Sequence, residues 1–255
     1  MRHGALLGLR GVLGRGIPVL NSSDGAIISE TQEGWIDFLL CDILLVLGLD
    51  RFKDFLGDQV ASPVKETSAQ LLSLVFKRLG NEKQNCLVSR HLRSLMNFEH
   101  WEVRHAGLLS LKHILANVSD VEIVGQLSDR VVDLLSDGDE DVRSVAADVL
   151  CTLLSSGRHE SIDLERTFRT LQGLLGGLDE LGPSTVPILD LLVQLVGLNS
   201  SFGVESSLLL PFLRNASTKV RKQVIKVLGA MTESDEEQVK NVLIQLIESM
   251  AVEID

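Results

Sequence analysis

Apolar residues return every three to four positions along most of this chain, in runs separated by short clusters of Gly, Asp, Asn, Ser and Pro. That spacing puts one apolar stripe on each of a series of α-helices, and the clusters mark the turns between them. Met1 to Leu13 reads as one helix. Gly14 to Gly34 loses the period and reads as a loop insertion, followed by a helix from Trp35 to Leu49 with Asp50 to Leu56 as a short extension. Pro63 falls in the first turn of the next helix, where its missing N–H costs nothing, and that helix runs to Leu79. Further on the helices come in pairs: 83–96 with 101–117, 120–136 with 139–156, 161–178 with 183–198, and 203–214 with 217–232. A last helix, 235–252, stands without a mate.

The pairs share an internal mark. Val103-Arg104, Val142-Arg143 and Val220-Arg221 each open a second helix, and Val64-Lys65 is a conservative variant. The four valines stand 39, 39 and twice 39 residues apart. A period near that length with two helices per unit predicts an all-α solenoid of the HEAT or armadillo type, residues 1–255 forming a single array. The pair Leu181-Gly182 occupies the remaining slot, so that unit is degenerate. Arg2 to Arg10 (RHGALLGLR) aligns without gaps to Arg104 to Lys112 (RHAGLLSLK), which makes the first helix a second helix without its mate. Both ends therefore read as cut within repeats. The expectation that follows is an unpartnered apolar face at each end and self-association of the isolated chain.

Composition supports a long helical core, with 45% hydrophobic residues, 4% aromatics and five prolines in 255 residues. A formal charge of −11 argues against a chain that coats nucleic acid phosphates and favours a basic protein partner. Cys41, Cys86 and Cys151 are odd in number and form no CxxC pair, as in reduced intracellular chains. Phe38 to Leu49 is interrupted by Asp42 and too short to span a bilayer.

No phosphate loop, nucleophile elbow or metal-ligand cluster appears, so no catalytic residue, cofactor, metal or small-molecule substrate is assigned. The valine of each Val-Arg pair points to the inter-helix core. Each arginine is placed to pair with an acidic side chain in the preceding turn, linking neighbouring repeats in a ladder. Asp137 stands six residues before Arg143, whereas Asn215 and Phe98 hold the same slot before Arg221 and Arg104, which leaves the ladder partial. Two turns carry candidate binding residues. One offers Glu99, His100 and Trp101; Trp101 either opens the helix or anchors a partner. The other offers Asp137, Asp139, Glu140 and Asp141, a cluster that helix capping explains only in part. One period apart, the two turns are expected side by side on a single ridge.

Several segments are more particular than the repeat. Arg2-His3-Gly4-Ala5, Leu49-Asp50-Arg51-Phe52-Lys53-Asp54-Phe55, Val60 to Thr67 (VASPVKET), Trp101-Glu102-Val103-Arg104-His105 and Asp139 to Ala147 (DEDVRSVAA) follow one another in that order along the chain. Together they resemble the N-terminal HEAT array of the TATA-binding-protein-associated factors, modifier-of-transcription regulators with a Swi/Snf-type ATPase. The match is good over roughly residues 1 to 150 and in outline beyond. The resemblance implies a nuclear scaffold that grips the convex face of TATA-binding protein through inter-helix turns and touches DNA only indirectly. The family's motor removes that protein from promoters, and its ATPase is absent from this chain. The alternative is another HEAT adaptor, a nuclear transport receptor or a phosphatase-type scaffold.

Overall fold

The computed structural model describes residues 2–14, 25–50, 54–56, 59–61, 63–117, 122–157, 159–178, 182–199, 202–232 and 244. They fall into two compact units, Met1–Leu127 and Ser128–Asp255.

In the first unit, α1 (Arg2–Gly14), α3 (Pro63–Phe76) and α6 (Trp101–Asn117) pack as a row of second helices, α1 on α3 and α3 on α6. Alongside them lie α2 (Gly25–Leu49), against α3 and α6, and the broken helix formed by α4 (Asn81–Cys86), a π-helical turn at Leu87–Leu92 and α5 (Arg93–Met96). The core between the layers is aliphatic apart from Phe76, with Leu39, Ile43, Leu47, Leu71, Leu72, Leu108, Leu111 and Ile114 buried beside it. Gly107 lets α6 reach α5 closely: a Cβ there would meet Met96 Cγ at 2.9 Å, Leu95 Cβ at 3.1 Å and the Met96 backbone nitrogen at 3.2 Å.

A polar seam runs along the row. His3 Nε2 meets Thr67 Oγ1 at 3.1 Å, Arg10 donates to Gln70, and Gln70 Nε2 donates to Glu66 Oε1 at 2.9 Å. His113 Nε2 on α6 lies 2.7 Å from the same Glu66 oxygen. That hydrogen bond holds the Glu66 carboxyl below its ordinary range, against the opposing effect of its partial burial.

Two boundaries differ from the sequence reading. Helix α2 begins at Gly25, so the second half of the expected 14–34 loop is helical; residues 15–24 lie outside the described residues. Ser23-Asp24 supply capping residue types, and Ala26 to Glu33 contains no helix breaker. Of the expected extension over Asp50 to Leu56, residues 54–56 are instead the first strand of an antiparallel hairpin, and 51–53 lie outside the described residues. Its strands β1 (Asp54–Leu56) and β2 (Gln59–Ala61) pair Asp54 with Ala61, Phe55 with Val60 and Leu56 with Gln59. Gly57-Asp58, a two-residue Gly-X connection between short apolar runs, carries a hairpin signal that a purely helical reading passes over.

The second unit repeats the arrangement. Its division from the first falls within α7 (Glu122–Leu134). The second helices α8 (Glu140–Ser155), α10 (Thr185–Leu198) and α12 (Thr218–Thr232) form a row with α10 in the middle, while α9 (Leu164–Leu175) packs on α10 and α11 (Ser206–Leu213) on α12. Leu150, Leu189, Leu191, Leu192, Val224 and Val227 are buried, and the Phe168 and Phe202 rings stack with centroids 4.5 Å apart. Gly157, with φ 76°, ends α8 in the left-handed conformation that only glycine adopts freely. The final helix expected at 235–252 lies outside the described residues except for Ile244, which is helical.

Candidate protein-binding turns

The turn before α6 exposes Asn97, Phe98, Glu99 and His100, while Trp101 is half-buried. The Trp101 ring meets His105 edge-on, centroids 6.4 Å apart, because residues four apart share a helix face. Phe98 is the more available aromatic, 49% exposed, its ring 5.9 Å from that of His100. The sequence reading noted Phe98 only as the residue six before Arg104 and did not count it among the binding candidates, since a phenylalanine at the end of an apolar helix looks like core.

The turn before α8 spends most of its carboxylates on the fold. Asp137 Oδ1 accepts the Asp139 N–H at 3.0 Å, closing an Asx turn. Asp139 is the N-cap of α8, its Oδ1 accepting from Asp141 N at 3.0 Å and Val142 N at 3.4 Å. Glu140 pairs with Arg143 at 2.9 Å, and its carboxylate lies so close to Gly182 that a Cβ there would come within 2.5 Å of Oε2. Asp141 remains, half-buried at the helix start, with no side-chain hydrogen bond or ion pair among the described residues. The two turns belong to different units, and each is described by itself.

Val103, Val142 and Val220 are buried and Val64 is half-buried. The arginines beside them do something the sequence reading missed. Arg104 Nη1 donates to the Phe98 carbonyl at 3.0 Å, Arg143 Nη1 to the Asp137 carbonyl at 2.8 Å and Arg221 Nη1 to the Asn215 carbonyl at 2.6 Å, each six residues back. The acceptor is backbone, so a phenylalanine, an aspartate and an asparagine serve alike. At these three positions the arginine braces its own repeat's turn, and Arg143 also pairs with the acidic Glu140 of that turn. Lys65, the variant, is buried and reaches across repeats, its Nζ donating to the Glu102 carbonyl at 3.0 Å.

Among the described residues no group of His, Cys, Asp and Glu is placed to hold a metal ion, and no helix is long and apolar enough to cross a membrane.

No family model matches the chain. It is similar to the human TATA-binding protein-associated factor 172, 32% identical over 264 residues, which covers 98% of this chain and 14% of that protein. The chain belongs to the TATA-binding protein-associated factor family. The factor mot1 of Aspergillus fumigatus is 30% identical over 269 residues, 89% of this chain and 14% of its own length. Arabidopsis thaliana has a relative named BTAF1, 34% identical over 183 residues, 66% of this chain and 9% of that factor. The chain thus spans 14% of the length of the first two factors. Among solved structures, the Mot1 N-terminal domain in complex with TBP is similar over 93% of this chain and 28% of that one, with a TM-score of 0.66 at 21% identity. The karyopherin Kap121p reaches a TM-score of 0.67 at 15% identity, over 98% of this chain and 25% of its own. Both likenesses are of fold, and they place this member of the factor family among all-α HEAT and armadillo solenoids.

Proposed function

We propose that this chain is a nuclear scaffold that binds TATA-binding protein through its inter-helix turns, as part of a factor that removes that protein from promoter DNA. The observation carrying this reading is family membership along nearly the whole chain, 98% of it at 32% identity to a human factor named for TATA-binding protein. A solved relative of similar fold is bound to TBP, which supports the same partner. The reading gives these 255 residues a binding role, and any ATP-driven step belongs to sequence outside them. DNA is met only through the partner.

The contact residues in this reading are Glu99, His100 and Trp101 on one turn and Asp137, Asp139, Glu140 and Asp141 on the other, joined by Phe98. The exposed Phe98 and the half-buried Asp141, whose carboxylate the turn does not use, carry the sharpest test. A buried aromatic anchor governs dissociation, whereas a rim charge governs association and its salt sensitivity. Phe98→Ala and Trp101→Ala are expected to shorten the lifetime of a complex with purified TATA-binding protein. Asp141→Asn is expected to slow association about twofold and flatten its salt dependence. The measurement is binding kinetics at two salt concentrations. If all three variants stay folded and bind like the parent, the turns are not the interface; if the parent itself does not bind, the partner is wrong.

A further inference from the structure

Two of the three cysteines stand at the surface, Cys41 on α2 and Cys86 at the last position of α4, while Cys151 is half-buried. Of the two exposed thiols, only Cys86 has a base beside it among the described residues. His91 Nε2 lies 3.9 Å from its Sγ, within reach of an S–H donor and an imidazole acceptor. The two residues stand five apart in the chain. On an α-helix that spacing turns side chains about 140° away from each other, onto different faces. The π-helical turn Leu87–Leu92 removes the difference. Its backbone bonds to the fifth residue back, as the Arg93 N–H does to the Val88 carbonyl, and so stacks positions five apart. Leu87, Val88 and Leu92 are fully buried, and their spacing anchors the wide turn from beneath. The core thus sets the register that makes the pair. Turns of this kind recur at functional sites.

We propose that Cys86 is a reactive thiol with His91 as its base, and that it forms a mixed disulfide with low-molecular-weight disulfides. Exposed thiols beside an imidazole are the ones that react, because the thiolate is the nucleophile and the ring accepts its proton. The nearby charges do not override this. Glu82 and Arg90, each four residues from Cys86, are exposed and opposite in sign; Lys83 is held by Asp37, and Arg93 donates to the Gln126 carbonyl. A Cys–His pair alone is two ligands short of a zinc site, and no third metal-ligating side chain joins it among the described residues. In the step itself His91 takes the S–H proton and the Cys86 sulfur attacks one sulfur of the small disulfide. The new S–S bond forms as the old one breaks, and the departing thiolate recovers the proton from His91. One disulfide is consumed and one is made, so no further oxidant is required. The site lies away from the turns before α6 and α8 and does not depend on the proposed partner.

The exposed Cys41 serves as an internal control in the same chain. The full chain is treated with oxidised glutathione, and mixed disulfide at each cysteine is followed over time by peptide mass spectrometry. Cys86 is expected to react at least about fivefold faster than Cys41. His91→Gln keeps a polar side chain of similar reach without the base, and is expected to bring Cys86 down to the Cys41 rate while Cys41 is unchanged. Unchanged far-UV circular dichroism verifies that this variant folds, and the comparison of the two cysteines in the parent needs no variant at all. Equal rates at Cys86 and Cys41 would overturn the proposal. So would a Cys86 advantage that survives His91→Gln, since exposure and not the imidazole would then set the rate.

Discussion

Arg143 shows how much of this fold hangs on single side chains that touch backbone. Its guanidinium binds the Asp137 carbonyl and the Glu140 carboxylate with only 16% of its side chain exposed. Arg143→Met keeps the apolar stem and removes the donors, and is expected to cost about 1.5–3 kcal/mol in urea unfolding. Asp137→Asn is expected to change stability by less than about 0.5 kcal/mol. Asn215 already shows why: its Oδ1 accepts the Ser217 N–H at 2.8 Å and its carbonyl takes Arg221. Gly107→Ala sets two effects against each other. Helix propensity gains about 1 kcal/mol, and overpacking costs about 1–3 kcal/mol. The Met96 backbone nitrogen at 3.2 Å cannot swing aside as a side-chain tip could, so the second effect prevails and thermal unfolding should show a lower Tm.

At the scale of elements, α3 and α6 are joined by Glu66 and His113 as well as by their aliphatic faces. A carboxyl whose folded-state pKa is lowered adds stability above its unfolded value and loses it as pH falls through the lowered one. Acid unfolding of Glu66→Gln is therefore expected to be less steep than that of the parent in the acid range, with the two chains converging at low pH. The helices themselves were legible because an apolar stripe at helical spacing needs no long-range information. The hairpin was not, since Phe55 and Val60 in so short a run fit a frayed helix as well as a strand. The start of α2 was hidden for a related reason. Its first ten residues hold few apolar positions, and a period cannot be read where there is little to repeat.

At the scale of the whole molecule, the 39-residue period recovered the solenoid class because every repeat must bury the same face against its neighbour. The candidate site was less legible: exposure decides which residues can meet a partner, and exposure depends on rings such as His105 that pack four residues away. The cores of the two units supply a further prediction. Leu111→Ala in the first and Leu191→Ala in the second each empty a fully buried site and should cost about 2–5 kcal/mol. Lying in the cores of different units, they should sum in the double variant to within about 0.5 kcal/mol by denaturant unfolding. The arginine brace has one more consequence. Because it reads the main chain, the turn it locks is a socket indifferent to its own lettering. Turn side chains can drift, or be transplanted from one repeat to another by an engineer, while the hinge pin beneath them stays where it was.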